Sequence, residues 1–227
     1  MNPSERAAIF DSMNHVIAAL HKVDPAAIGL ANYGKAGNFF ARQIGHWTGQ
    51  YRASETECIE SMERLIEWLP LHIPPGDTVA LVHGDYRLDN LVFHATEPRV
   101  IAVLDWELST LGHPMADFAY HAMAWGMPTG EMRGLSGLDL PALGIPGIDA
   151  CVARCCERAG TPPPTAAEWN FYVAYKLFRG AAISQGIMRR ALDGSASNAH
   201  AFEASRKARM VVDAAWKRVA NTGQTPN

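Results

Sequence analysis

One stretch, residues 78–105, constrains this chain more than any other. Thr78-Val79-Ala80-Leu81-Val82 and Leu91-Val92-Phe93-His94 are short runs of β-forming residues. Ala95-Thr96-Glu97-Pro98 is a turn, and Arg99-Val100-Ile101-Ala102-Val103-Leu104 is a third run. The last two runs read as a hairpin. A hairpin brings its outer ends together. At one end stand His83-Gly84-Asp85, four residues, then Asn90; at the other stands Asp105-Trp106-Glu107. Asp85, Asn90 and Asp105 are therefore expected to converge, although far apart in sequence.

Helical patterns surround this stretch. Asn2-Pro3-Ser4-Glu5 reads as a helix start, with Asn2 as cap and Pro3 in the first position. Ile9, Met13, Val16, Ile17 and Leu20 recur at helical spacing and predict a helix over 3–22. A Gly- and Ala-rich loop runs to about Gly37. Phe39 to Tyr51 and Cys58 to Leu69 predict two more helices, ended by Pro74-Pro75-Gly76-Asp77. Helix returns from Pro114 to Trp125. Residues 126–148 hold many Gly and Pro and read as a long loop. Three helices are expected near 149–159, 165–188 and 200–220, with Trp169, Tyr172, Val173, Lys176 and Leu177 at core spacing. The expected class is α+β, mainly helical, with a small β-hairpin carrying the active-site loops. The regions are 1–77 helical, 78–105 catalytic loop and hairpin, and 106–227 helical, all within one unit over 1–227.

Bulk properties narrow the partners. Hydrophobic residues make up 48% and charged residues 19% of the 227, enough to bury a core. Lys plus Arg is 20 against 23 Asp plus Glu, a net charge of −3, so nothing offsets a nucleic-acid backbone. The cysteines, Cys58, Cys151, Cys155 and Cys156, form no C-x-x-C pair, so zinc is unsupported. Cys151 and Cys155 share a helix face and read as core. No disulfide framework, signal-peptide opening or membrane-length apolar run is visible, which together suit a cytoplasmic protein.

The converging residues fit phosphoryl transfer. One carboxylate orients an acceptor hydroxyl and takes its proton, while an amide oxygen and a second carboxylate hold magnesium on the phosphates of ATP. The spacing matches the kinase catalytic-loop pattern H-x-D-x-x-x-x-N with a later metal-binding Asp. Asp85 is then the base, Asn90 and Asp105 are the metal ligands, and Glu107 reaches the metal indirectly. The plain alternative, an Asp-rich turn with solvated carboxylates, explains neither the spacing nor the strand context. Gly29-Leu30-Ala31-Asn32-Tyr33-Gly34-Lys35-Ala36 spells most of a second phosphate motif. It fails at Ala36, where Ser or Thr is required, and it follows a helix and loop instead of a strand. Arg189-Arg190 and Arg206-Lys207-Ala208-Arg209 read as solvated helix faces.

Leu81 through Asn90 and Val103-Leu104-Asp105-Trp106-Glu107 resemble the aminoglycoside phosphotransferase and choline kinase superfamily. Leu108-Ser109-Thr110-Leu111-Gly112-His113-Pro114-Met115-Ala116-Asp117 is similar to the branch fused to acyl-CoA dehydrogenases. So are Leu20-His21-Lys22-Val23-Asp24 and the stretch from Arg42 to Tyr51. The resemblance implies a kinase-like fold and ATP and magnesium as cofactors. It implies a small-molecule hydroxyl acceptor, with the branch pointing to a metabolite such as a hydroxylated acyl thioester. It also implies supporting roles for His83, bracing the loop, and Asp117, holding the loop by hydrogen bonds.

The family's small lobe, with its phosphate-covering loop and strand lysine, would precede the first helix here, and the sequence shows no such segment. The expectation is an isolated large lobe: a fragment, a misassigned start, or a module that acts in binding or needs another chain for activity. Its exposed cleft should be apolar and suited to a partner chain or self-association.

Overall fold

The computed structural model describes residues 1–35, 37–130, 134–194 and 201–220, with side chains from 208 onward in the last of these. The helices are α1 (Pro3–His21), α2 (Phe39–Ser54), α3 (Glu60–Leu71), α4 (Pro114–Gly126), α5 (Leu140–Leu143), α6 (Ile148–Ala159), α7 (Ala166–Leu192) and α8 (Ala201–Ala220). The strands are β1 (Ala80–Val82), β2 (Leu91–Phe93), β3 (Val100–Val103) and β4 (Thr110–Gly112). The fold is α+β and mainly helical, as the sequence predicts.

Local chemistry accounts for the boundaries. Asn2 accepts the Glu5 amide at 2.9 Å, and the Glu5 carboxylate accepts the Asn2 N–H at 2.7 Å. Such a reciprocal cap is worth about 0.5–2 kcal/mol. Thr165 and Glu168 form the same device at the start of α7. Gly160, at φ +73°, ends α6 in a left-handed cap.

Two elements depart from the sequence reading. Thr110–Gly112 is a strand, β4, pairing antiparallel with β1, Leu81 opposite Leu111. Three residues ahead of a helix are too short to declare a period. Within 126–148, Asp139 caps the short helix α5 by accepting the Ala142 amide. Part of that stretch, 131–133, lies outside the described residues, as do Ala36 and the side chains of Arg206 and Lys207.

The chain divides into two compact units, Met1–Gly37 with Thr78–Pro164, and Asn38–Asp77 with Thr165–Asn227. In the first, α1 packs on α6, burying Met13, Ile17, Cys151, Val152 and Cys155. Polar groups close this contact: Asn14 donates to the Cys151 carbonyl at 2.8 Å, and Arg158 forks onto Asp11 at 2.8 and 2.9 Å. Burial raises the Cys151 thiol to about 11 and the Cys155 thiol to about 12, so both act as small hydrophobes. In the second unit, α7 packs between α2 and α8. Phe40 stacks on Tyr172 at 5.6 Å and meets Phe171 and Tyr175 edge-on. Trp169, Tyr172, Val173, Lys176 and Leu177 are all buried.

The stretch that mimics a phosphate motif is a strap against β4. A Cβ on Gly34 would stand 2.4 Å from Thr110 Oγ1 and 2.7 Å from the Leu111 amide nitrogen. Tyr33 hydrogen-bonds to Ser109, which donates to the Trp106 carbonyl. Gly34→Ala should cost about 1–3 kcal/mol, the usual scale of overpacking, because a backbone atom is in the way. Urea unfolding of the variant checks this; unchanged stability would mean that the strap is not in close contact.

Candidate active site

The two small sheets present their ends to each other. Val82, opposite Thr110, leads directly into His83; Leu91, opposite Val103, follows Asn90 directly. Leu104 ties the two together. Its N–H donates to the Asn90 carbonyl at 2.8 Å, and its carbonyl accepts from His83 Nε2 at 2.8 Å. Asp105 is the next residue. The hairpin thus forms as its sequence predicts, and it brings the backbone ahead of Asp105 beside Asn90.

Asp85 and Asn90 touch directly. Asn90 Nδ2 donates to the Asp85 carboxylate at 2.8 Å and to the Asp85 carbonyl at 2.9 Å. Arg87 Nε donates to the same carboxylate at 3.2 Å, and its Nη1 lies 3.8 Å from the Asp89 carboxylate. With its nitrogen so engaged, Asn90 has Oδ1 left to face a cation. Asp105 is exposed and sits at φ +64°, a left-handed conformation uncommon for a residue with a side chain. Glu107 is exposed on the short 3-10 turn Trp106–Leu108 that follows.

The loop is held from behind. Asp117, in the first turn of α4, is 1% exposed. Its carboxylate accepts the His83 amide at 2.9 Å and the Gly84 amide at 2.8 Å. His83, fully buried, accepts the Asp85 N–H on Nδ1 at 3.2 Å, which leaves the ring proton on Nε2 for Leu104. Gly84 has φ +85°, and a Cβ there would lie 2.4 Å from the Leu108 carbonyl, so the loop closes on the Asp105 turn only because residue 84 has no side chain. Tyr86 donates its hydroxyl to the Met13 carbonyl at 2.8 Å, anchoring the loop to α1. Burial raises that phenol far above its ordinary range.

Sequence reasoning did not single out His21. Its Nε2 lies 3.1 Å from the Asp117 carboxylate, with both side chains buried. In the sequence it stood only within the Leu20–Asp24 stretch that resembles the acyl-CoA dehydrogenase branch, with no role of its own. His121 was missed too. It is buried in α4, edge-on to Tyr86, Phe118 and Trp125. Burial lowers its imidazole to about 4, so it is neutral at ordinary pH.

Two surfaces flank the loop. Ile101, Leu104, Trp106 and Leu108 form an exposed apolar row around the Asp105 turn, 40–51% accessible. On the other side lies a cavity of about 490 Å³, walled by Met13, Met123, Trp125 and Met127, with Arg87 and Asp89 at its edge. Among the described residues, one trio of His, Cys, Asp or Glu groups lies close enough to share an ion: Glu55, Cys58 and Glu63, in the second unit. Arg52 already pairs with both of its carboxylates.

The spacing and bracing of this loop resemble a kinase catalytic loop. The profile of the phosphotransferase enzyme family (APH) matches residues 1–141. A Ralstonia eutropha crystal structure, provisionally called an aminoglycoside phosphotransferase, is 55% identical with a TM-score of 0.94, covering 97% of this chain and 67% of that one. Mouse acyl-CoA dehydrogenase family member 10 is 45% identical over 225 residues, 98% of this chain and 21% of that protein. Aminoglycoside phosphotransferase APH(4)-Ia, solved as a thermostable mutant with AMP-PNP and hygromycin B, shares the fold at 17% identity and TM-score 0.58, covering 97% of this chain and 68% of that one. The chain belongs to the phosphotransferase enzyme family. It spans about a fifth of the length of the mouse relative. No helix among the described residues is long and apolar enough to cross a membrane.

Asp117→Ala should cost about 3–5 kcal/mol, since it strips buried amides and His21 of their shared acceptor. Asp117→Asn, which keeps one acceptor oxygen, should cost less. Urea denaturation of both variants checks the order; equal, small losses would show that the carboxylate is not the brace.

Proposed function

We propose that this protein transfers the γ-phosphate of ATP to a hydroxyl group on a small molecule with an apolar body. The observation that carries this reading is the direct Asp85–Asn90 contact, set where the Asp105 turn begins and beside an apolar cavity.

In this reading Asp85 is the general base. Asn90 and Arg87 hold its carboxylate toward the acceptor. As the acceptor oxygen bonds to phosphorus, its proton passes to Asp85 and the bond to the departing ADP breaks. Asn90 Oδ1 and the Asp105 carboxylate are hard oxygen donors of the kind magnesium takes, with Glu107 acting through water. When bound, the metal supplies charge neutralisation on the phosphate oxygens. His83 and Asp117 keep the two loops in register, so that little rearrangement is needed at the moment of transfer.

The acceptor side favours an apolar molecule over an aminoglycoside. A polycation needs acidic walls, and the one carboxylate lining this cavity among the described residues, Asp89, is near Arg87. The name of the mouse relative connects that protein to acyl-CoA chemistry. A hydroxylated acyl group would suit both the name and the cavity. A second reading, favoured by the exposed row Ile101, Leu104, Trp106 and Leu108, is a phosphotransferase site completed by a further lobe or chain seated over the Asp105 turn.

Screening ADP release against hydroxylated small molecules would find the acceptor. On that acceptor Asp85→Ala should lower kcat by about 10²–10⁴-fold, the usual effect of losing a general base. Undiminished turnover would remove Asp85 from the mechanism.

A further inference from the structure

The catalytic loop accounts for most of the buried polar groups in the first unit. His121, like Asn14, is not one of them. It is 8% exposed, it lines the cavity beside the loop, and among the described residues it makes no hydrogen bond. Neither ring nitrogen is sealed off, so both are open to a ligand group in the cavity that the ring lines. Edge contacts with Tyr86 at 5.9 Å, Phe118 at 5.8 Å and Trp125 at 5.3 Å fix the ring plane. The ring therefore cannot turn without disturbing three aromatic neighbours.

Resting on the phosphotransferase reading of the Asp85 loop, we propose that His121 is a specificity-determining residue of the acceptor cavity: it hydrogen-bonds an uncharged polar group of the acceptor, distinct from the hydroxyl that is phosphorylated.

Three observations select the chemistry of that group. A neutral imidazole offers one donor and one acceptor, which suits a hydroxyl, ether or carbonyl. Protonation to attract an anion is opposed by burial. The surrounding walls, Met13, Met123, Trp125 and Met127, carry no charge to neutralise an ion brought in with the ligand. Arg87 and Asp89 at the edge are close to each other, and Arg87 also serves Asp85. The acceptor class is thus an apolar body bearing a second, neutral polar group. A site built this way discriminates against an analogue that lacks the group, because that hydrogen bond is then lost.

The test uses the full chain with histidine rings and methionine methyls isotopically labelled for NMR, and three probes: benzyl alcohol, toluene and kanamycin. Benzyl alcohol and toluene differ by one hydroxyl. The expected result is that both shift the Met123 and Met127 methyl signals, that benzyl alcohol alone moves the His121 ring nitrogens, and that kanamycin moves neither. His121→Phe keeps the ring volume and should abolish the preference for benzyl alcohol over toluene, which in the wild type should be up to about tenfold, the scale of one hydrogen bond. His121→Gln, which keeps a donor and an acceptor, should retain part of it. Should His121→Phe fail to fold, the wild-type shifts decide alone. Methyl shifts without any His121 response, an unchanged preference in His121→Phe, binding of kanamycin, or no binding of any probe would each overturn the proposal. The Asp85→Ala assay separates the two claims. Lost turnover with silent His121 signals refutes this inference alone; intact turnover with responsive His121 signals refutes the base and leaves a binding site.

Discussion

The Asp117 carboxylate holds two successive backbone amides, those of His83 and Gly84, and most of the site depends on that grip. Two adjacent N–H groups can point at one carboxylate only if the backbone bends sharply, and Gly84 at φ +85° supplies the bend. The bend turns the His83 ring toward Leu104 and its other nitrogen toward the Asp85 amide. A single buried charge thereby orients the loop of Asp85 and, through Leu104, the start of the Asp105 turn. The charge is fully desolvated, and its partners, two amides and His21, are what make that tolerable.

The same arrangement explains why polar groups are spent unevenly. Side chains behind the loop are satisfied: Tyr86 on Met13 and Asn14 on Cys151, both buried, and the part-buried Arg158 on Asp11. In front, Asp105 and Glu107 face outward and an apolar row surrounds them. A rigid back and an open front suit a site whose ligands arrive from solution, since the cost of ordering is met by the fold before they bind.

Much of this was legible in the sequence. The hairpin and its turn, which bring the backbone ahead of Asp105 next to Asn90, followed from strand periods and one Pro-containing turn. The first-helix cap followed from Asn2, Pro3 and Glu5. The buried face of α7 followed from the spacing of Trp169 through Leu177. Other features were illegible for physical reasons. Strand β4 has three residues and no repeat to read; its pairing with β1 is a tertiary fact. His21 and His121 are polar residues on buried helix faces, where spacing says only that they face inward. Whether an inward His finds a carboxylate, as His21 does, or none, as with His121, depends on which helix lies opposite. The strap from Gly29 to Lys35 looked like a failed phosphate site because its glycines are real constraints. What Gly34 makes room for is β4, and no local pattern encodes that.

The account turns on Asn90 and Asp105 acting as one cation site next to a separate base. Manganese can replace magnesium at all-oxygen sites, and its paramagnetism reports binding directly. Titrating the protein with manganese and AMP-PNP, followed by electron paramagnetic resonance, measures how tightly the metal–nucleotide complex is held. The prediction is that Asn90→Ala and Asp105→Ala each weaken it at least about tenfold, the scale of one lost charge-assisted contact, while Asp85→Asn, which keeps the shape of the base, weakens it far less. Equal binding by wild type and Asp105→Ala would contradict the account, because the turn that the whole hairpin serves to position would then hold nothing.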